Sequence, residues 1–196
     1  NAMSYLVPAE FVAKMVDAGE SKIYMSTRDT LIRAYMAGAI LALAAVFAVS
    51  ASVMSGSALV GAILFPVGFC MLYLLGFDLL TGVFVLTPLA WLDKRPGVTI
   101  NAILKNWGLV FTGNFLGALT VAFMMAFVFT YGFSTPPNDI GTKIGHIGEA
   151  RTLGYAQYGL MGWLTIFMRG MLCNWMVSTG VVGAMLGGWL LSPLLG

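Results

Sequence analysis

Charged residues are scarce in this chain. Aspartate, glutamate, lysine and arginine together make up 9% of its 196 residues, whereas 59% of the residues are hydrophobic. A soluble domain carries about 25% charged residues, and a core of this size has no room for so many apolar side chains. The composition therefore excludes an ordinary soluble domain and predicts an integral membrane protein in contact with the lipid bilayer. The net charge of +2 is scattered, and no basic stripe suggests nucleic acid as a partner.

Histidine and cysteine are also nearly absent. His146 is the only histidine and lies in a polar segment, which excludes a haem held by two histidines of this chain and argues against a zinc site. Cys70 and Cys173 lie in separate apolar segments without metal or redox spacing, and we interpret both as small buried hydrophobic residues. We therefore expect no catalytic residue, no metal, no cofactor and no enzymatic activity.

Long apolar runs predict an all-α membrane protein. Residues 34–54, 107–131 and 159–182 are each long enough for one spanning helix, which needs about 20 residues. Residues 58–92 are too long for one helix and too short for two spans, so we predict a second span that is broken at 76–82 and continues as a short helix at 83–92. After residue 183 the apolar sequence is interrupted by two glycines and is too short to span. The chain is therefore expected to be truncated within a fifth hydrophobic segment.

The distribution of lysine and arginine predicts the orientation in the membrane. Basic residues precede span one and occupy the connection 93–106, whereas the longer loop 132–157 has two of them. The N-terminus should therefore be cytoplasmic and the loop 132–157 external. The basic residues counted are Lys14, Lys22, Arg28 and Arg33, then Lys94, Arg95 and Lys105, and finally Lys143 and Arg151.

Residues 1–33 are predicted to form an N-terminal cytoplasmic segment that precedes a transmembrane domain at 34–196. Within this segment Phe11, Val12, Met15 and Val16 fall on one face at helical spacing. We expect an amphipathic helix on the inner membrane surface. A short helix packed against a neighbouring protein domain is the alternative.

The stretch GFDLLTG, residues 76–82, places one charged residue inside a long apolar run. Asp78 at its centre is the only charged residue between Arg33 and Asp93, and a charge at the bilayer centre costs about 2.5–3.5 kcal/mol. Such a residue is tolerated where a helix is broken, because the freed backbone groups need partners. We expect Gly76 and Gly82 to supply unusual backbone angles, Asp78 to accept hydrogen bonds from freed N–H groups and Thr81 to add a hydroxyl. Broken membrane helices are typical of substrate sites, and a purely structural kink is the alternative.

Three segments of the chain together resemble the formate/nitrite transporter family. They are GFDLLTG at 76–82, KNWGLVFTGNFLG at 105–117 and RGMLCNWMV at 169–177. The resemblance covers about residues 8–183 and implies an aquaporin-like bundle, assembled as a homopentamer with one pore in each protomer. It further implies transport of small monovalent anions, namely formate, nitrite or hydrosulfide, across the bacterial inner membrane. Formate is preferred among these anions because it is the commonest assignment in the family.

The resemblance also assigns residues to the pore. Leu79 and Leu80 are similar to the family's cytoplasmic constriction, and Phe65 to the phenylalanine of its external constriction. Thr81 and Asn174 match the residues beside a fifth-span histidine that this sequence does not contain. Phe77, Leu80 and Tyr158 depart from the family pattern, since relatives have a small residue, a phenylalanine and a lysine there. For Arg169, attraction of anions and pairing with a carboxylate at a helix interface both remain open.

Three other classes of membrane protein are alternatives to this interpretation. A membrane anchor subunit of a redox enzyme should have paired histidines for haem, and a neutral-solute aquaporin should have Asn-Pro-Ala triplets; the sequence has neither. A non-transporting membrane assembly protein has no sequence signature that would exclude it. Transport measurements distinguish these classes.

Overall fold

The computed structural model describes the backbone of residues 7–195 and the side chains of residues 7–187. The described part of the chain is helical throughout, and short turns connect its helices. Its α-helices are α1 (Pro8–Tyr24), α2 (Thr27–Ser55), α3 (Ala58–Leu64), α4 (Pro66–Leu74), α5 (Leu80–Leu92), α6 (Ile100–Phe129), α7 (Asp139–Arg151) and α8 (Gly159–Leu195), and a 3₁₀ helix covers Leu153–Tyr158. The predicted all-α architecture is confirmed.

Within the described residues, three helical stretches are long and apolar enough to cross a membrane. They are α2, α6 and the stretch from Asp139 to Gly187, which includes most of α8. The predicted second span is divided into an apolar stretch Ala58–Leu74, which α3 and α4 form, and the shorter helix α5 (Leu80–Leu92). The broken second span is therefore confirmed, and the non-helical break is shorter than predicted because residues 80–82 already belong to α5.

Small residues allow α2 and α6 to cross at close range. A Cβ atom added at Gly38 would lie 2.0 Å from the Asn114 carbonyl oxygen, and one added at Gly117 would lie 2.0 Å from the Tyr35 carbonyl oxygen. Such distances are available only to glycine, and close backbone contact is how membrane helices gain packing energy. The α2–α6 pair is therefore a rigid support for the elements around it.

Helix α1 packs against α5. Met15 and Val16 are buried, and a Cβ atom added at Gly19 would lie 2.0 Å from the Leu86 carbonyl oxygen. Val12 is 44% exposed, so the predicted apolar face is narrower than the sequence suggested. Contact with the inner membrane surface stays a prediction.

Two predicted features after α6 differ from the structure. Residues 132–157 do not form an extended loop, because α7 and the start of the 3₁₀ helix lie within them. The helix of the fourth span does not stop near residue 183, since α8 runs without interruption to Leu195. Gly187 and Gly188 are thus accommodated in a helix, which costs about 1 kcal/mol per glycine relative to alanine but does not forbid it.

Cys70 and Cys173 are both exposed, so their predicted burial is wrong for this chain. They lie on α4 and α8, two helices rich in apolar residues. An apolar side chain on a membrane helix needs no protein core, because lipid is as apolar as the interior of a protein.

Candidate functional site

The first half of the broken span ends in a left-handed turn. Gly76 has a φ of +71°, a conformation that favours glycine. The Gly76 N–H donates to the Tyr73 carbonyl at 3.0 Å, and the Phe77 N–H donates to the Leu72 carbonyl at 2.9 Å. This is the Schellman pattern, which satisfies the last carbonyls of a helix. The Arg33 guanidinium of α2 also donates to the Gly76 carbonyl at 3.1 Å, so the end of α4 is capped without Asp78.

Asp78 forms an ion pair with Lys22 of α1. Asp78 is 3% exposed, and its Oδ1 accepts a hydrogen bond from the Lys22 ammonium. Among the described residues, no backbone N–H donates to this carboxylate, and its Oδ2 has no hydrogen-bond partner. The prediction that Asp78 caps freed N–H groups is therefore wrong. The N-cap position of α5 belongs to Leu79, and the buried charge is neutralised by Lys22 instead.

Asn114 of α6, rather than the Asp78 carboxylate, makes the hydrogen bonds to the free backbone groups of the break. Its Oδ1 accepts the Leu80 N–H at 2.9 Å, which satisfies the first donor of α5. Its Nδ2 donates to the Asp78 carbonyl at 2.9 Å and to the Ala34 carbonyl of α2 at 2.7 Å. A helix start buried in a membrane protein needs such a partner, because lipid offers none. One amide therefore connects α2, α6 and the break.

Gly82 does not have the unusual backbone angle expected of it. It lies in the first turn of α5, its φ is not positive, and its N–H donates to the Leu79 carbonyl at 3.0 Å. A Cβ atom added at Gly82 would meet nothing within 4 Å. The break therefore needs one glycine, at Gly76, rather than two.

Leu79 lines two cavities. The first has a volume of about 410 Å³ and is bordered by α1, α4, α5 and α8, with Lys22, Gly76, Asp78 and Gly82 in its wall. The second is an apolar groove of about 400 Å³ between α2 and α6, and Phe65 and Asn114 also line it. Two of the predicted constriction residues, Phe65 and Leu79, thus share one groove.

Leu80 and Thr81 occupy different surroundings. Leu80 packs against the buried cluster of Ala34, Val83 and Val110, and it is not part of the wall of either cavity. The Thr81 hydroxyl oxygen is buried and has no hydrogen-bond partner among the described residues. A buried hydroxyl without a partner is costly, so this position is suited to a ligand or a further polar group.

Asn174 and Arg169 lie on α8, and neither lines the two cavities at Leu79. Asn174 donates weakly to the Ser178 hydroxyl at 3.4 Å, and its buried Oδ1 has no partner among the described residues. The Arg169 guanidinium donates to the Tyr155 hydroxyl, and its central carbon lies 5.5 Å from the centre of the Tyr155 ring. In the part of the chain that the structure describes, Arg169 pairs with no carboxylate, so that alternative is not supported.

Three residues of this site, Asn114, Lys22 and Arg33, have no predicted role in the break. Asn114 lies within the segment 105–117, and an amide in an apolar span needs a partner and is therefore a signal. Lys22 and Arg33 were used only to predict orientation. Their contacts with Asp78 and Gly76 join residues 56 and 43 positions apart, which no local pattern reveals.

Fold and site together define a helical membrane protein whose second span is broken at a polar loop. The family model for formate/nitrite transporters matches residues 9–192. The chain therefore belongs to the formate/nitrite transporter family, and the resemblance stated from its motifs is confirmed. No solved structure matches the chain at a significant level.

Curated relatives agree with this assignment. The chain is 27% identical over 188 residues to the uncharacterized transporter YrhG of Bacillus subtilis, a match that covers 91% of this chain and 65% of that protein. It is 34% identical over 152 residues to the formate channel FocA of Haemophilus influenzae, with 74% of this chain and 49% of that protein covered. It is 25% identical over 205 residues to the formate channel BtFdhC of Bacillus thuringiensis, with coverages of 96% and 73%. The chain thus spans about half to about three quarters of the length of these relatives.

Proposed function

We propose that the protein passes small monovalent anions, with formate as the preferred substrate and nitrite and hydrosulfide as further candidates. The observation that carries the proposal is the position of Leu79 at the break of the second span, where it lines a partly polar cavity on one side and an apolar groove on the other. The names of the relatives that are formate channels support formate.

An anion entering from the side of the first cavity meets the Lys22–Asp78 ion pair in a wall that is otherwise mostly apolar. Lys22 and Asp78 neutralise each other there, so no isolated carboxylate repels the anion. Helix α5 begins at Leu80, and the N-terminus of a helix attracts negative charge through the helix dipole. We assign the first cavity to the cytoplasmic side because α1, with the N-terminal basic residues, borders it.

Beyond the cavity the pathway becomes apolar. Leu79 and Phe65 present hydrocarbon to the same groove, and stripping water from an ion at such a surface excludes hydrated cations and large anions. The buried Thr81 hydroxyl, which has no partner among the described residues, is assigned to donate to the anion or to the histidine that the family places opposite it. Leu80, Asn174 and Arg169 stay secondary candidates for the pathway.

The assembly and location are part of the same proposal. We infer a homopentamer in the bacterial inner membrane, with the N-terminus in the cytoplasm. The distribution of lysine and arginine supports the orientation, and family membership supports the assembly. Cross-linking of the purified protein in native membranes tests the pentamer, and a decisive trimer or dimer would contradict it.

The function is tested by uptake into proteoliposomes. Formate, nitrite and hydrosulfide are measured at several pH values, with glycerol and potassium as controls and empty liposomes as the blank. Saturable or pH-dependent entry of the anions without entry of glycerol or potassium is expected. Glycerol entry without anion entry would instead indicate a neutral-solute channel. Absence of all transport by a folded, oriented protein would indicate a membrane assembly role.

A further inference from the structure

We propose that Asn114 is a positioning residue that sets the selectivity of the pore by holding Leu79 from both sides. The inference rests on the proposed function and adds a residue of the third span to it. The key observation is which backbone groups the amide contacts. It donates to the Asp78 carbonyl at 2.9 Å and accepts from the Leu80 N–H at 2.9 Å, and these two residues flank Leu79.

The amide uses both of its donors and one of its acceptor sites. A primary amide has two N–H donors and an oxygen with two lone pairs. The second donor of Asn114 goes to the Ala34 carbonyl of α2 at 2.7 Å. The position of Leu79 is therefore fixed relative to α2 and α6, and not only relative to its own short helix.

Close helix packing brings Asn114 within reach of these partners. Gly38 faces the Asn114 backbone so closely that an added Cβ atom would lie 2.0 Å from the Asn114 carbonyl oxygen. A Cβ atom added at Gly113, the preceding residue, would lie 2.5 Å from the Ala34 Cβ. The close contact of small residues between α2 and α6 therefore also places the Asn114 amide beside the break.

Other contacts keep the break in place when the amide is removed. The Gly76 carbonyl retains its bond from Arg33, the turn at Gly76 retains its two backbone hydrogen bonds, and Asp78 retains Lys22. Loss of Asn114 therefore frees the backbone on either side of Leu79 while the ends of the loop stay attached. The expected result is a wider and more variable constriction in a protein that still assembles.

Two readouts test this inference. The first is the ratio of formate to acetate uptake in proteoliposomes, for the wild type, Asn114→Ala, Asn114→Gln and the control Thr112→Ala. Thr112 lies on the same helix, is exposed, and donates only to the Gly108 carbonyl of its own helix at 2.8 Å. Asn114→Gln keeps an amide that is one methylene longer, so it provides a milder variant if Asn114→Ala does not assemble. Asn114→Ala removes two hydrogen bonds beside Leu79, each with a net contribution of about 0.5–1.5 kcal/mol. We expect the ratio to fall at least about tenfold in this variant and to stay unchanged in Thr112→Ala.

The second readout does not depend on transport. Leu79→Cys is introduced with Cys70 and Cys173 replaced by alanine. Its reaction rate with a small water-soluble thiol reagent is measured alone and in combination with Asn114→Ala, Asn114→Gln or Thr112→Ala. The rate should rise about tenfold, because the segment loses both flanking contacts. If the wild type carries no anion, the proposed function fails while the thiol rate still decides whether Asn114 holds Leu79. A ratio or a thiol rate in both Asn114 variants equal to that of Thr112→Ala would overturn the inference.

Discussion

Removing Lys22 and removing Asp78, the two partners of one ion pair, should destabilise the protein by different amounts. The side chain of Asp78 is 2% exposed, whereas that of Lys22 is 20% exposed. Lys22→Met leaves a buried carboxylate without its cation, and breaking a buried pair in this way costs about 3–5 kcal/mol. Asp78→Asn leaves an ammonium that reaches water and an amide oxygen that still accepts from it, so a cost of about 1–3 kcal/mol is expected.

The assay compares the thermal stability of the purified variants in detergent. The fraction of protein that elutes in the folded peak after heating is followed by size-exclusion chromatography over a series of temperatures. Lys22→Met should lower the midpoint more than Asp78→Asn does, and the double variant should be more stable than Lys22→Met alone. The midpoint shifts of the two single variants should not add in the double variant, because the two residues are in direct contact.

Lys143→Met is the matched control for this experiment. Lys143 is an exposed lysine of α7, far from the break along the chain, so its loss should change the midpoint little. A Lys22→Met midpoint equal to that of Lys143→Met would refute the reasoning, because the buried carboxylate would then not depend on Lys22. Equal effects of Asp78→Asn and Asp78→Leu would show that the charge itself, rather than an oxygen acceptor, is required.

Three further predictions concern the break. Thr81→Ala should reduce formate uptake about tenfold, by loss of one hydrogen bond, and leave the oligomer intact; a normal flux would remove Thr81 from the pathway. Leu79→Ala should lower the formate-to-acetate uptake ratio more than Leu80→Ala, since only Leu79 lines the cavities; the reverse order would favour Leu80 as the constriction. Gly76→Ala should destabilise the protein by about 1–2 kcal/mol, because Gly76 has a left-handed backbone conformation. Gly82→Ala should stabilise the protein by about 0.5–1 kcal/mol, because Gly82 lies in a helix. The thermal midpoints of the two variants check this contrast.

The positions of the spans could be predicted because the membrane imposes a length on apolar helices. Residues 34–54 and 107–131 fall largely within α2 and α6, and the break in the second span follows from a run too long for one helix. Helix ends are less well determined by composition. Gly187 and Gly188 predicted an interruption of the apolar sequence, and α8 instead continues through both.

The partners inside the site could not be predicted from local patterns. Asp78 stands out in the sequence as the charged residue of the break. A carboxylate next to a helix start is equally consistent with capping and with an ion pair. The choice depends on α1, which brings Lys22 to the loop, and on α6, which brings Asn114 to the Leu80 N–H. Both contacts are tertiary, and neither changes the hydrophobic pattern of the sequence.

The dependence of the break on Asn114 has a consequence for biosynthesis. Helices α4 and α5 leave the ribosome before α6 does, so the Leu80 N–H and the Asp78 carbonyl reach the membrane before the partner that they later acquire. Domains and their parts order as their contacts become available during synthesis. We therefore expect the middle of the second span to stay open to water until the third span has been inserted. In stalled nascent chains, a cysteine at position 79 should react readily with an aqueous thiol reagent before α6 emerges and slowly afterwards; equal reactivity at both lengths would contradict this order. The second span is thus synthesised before α6 but acquires its last hydrogen bonds only after α6 is inserted.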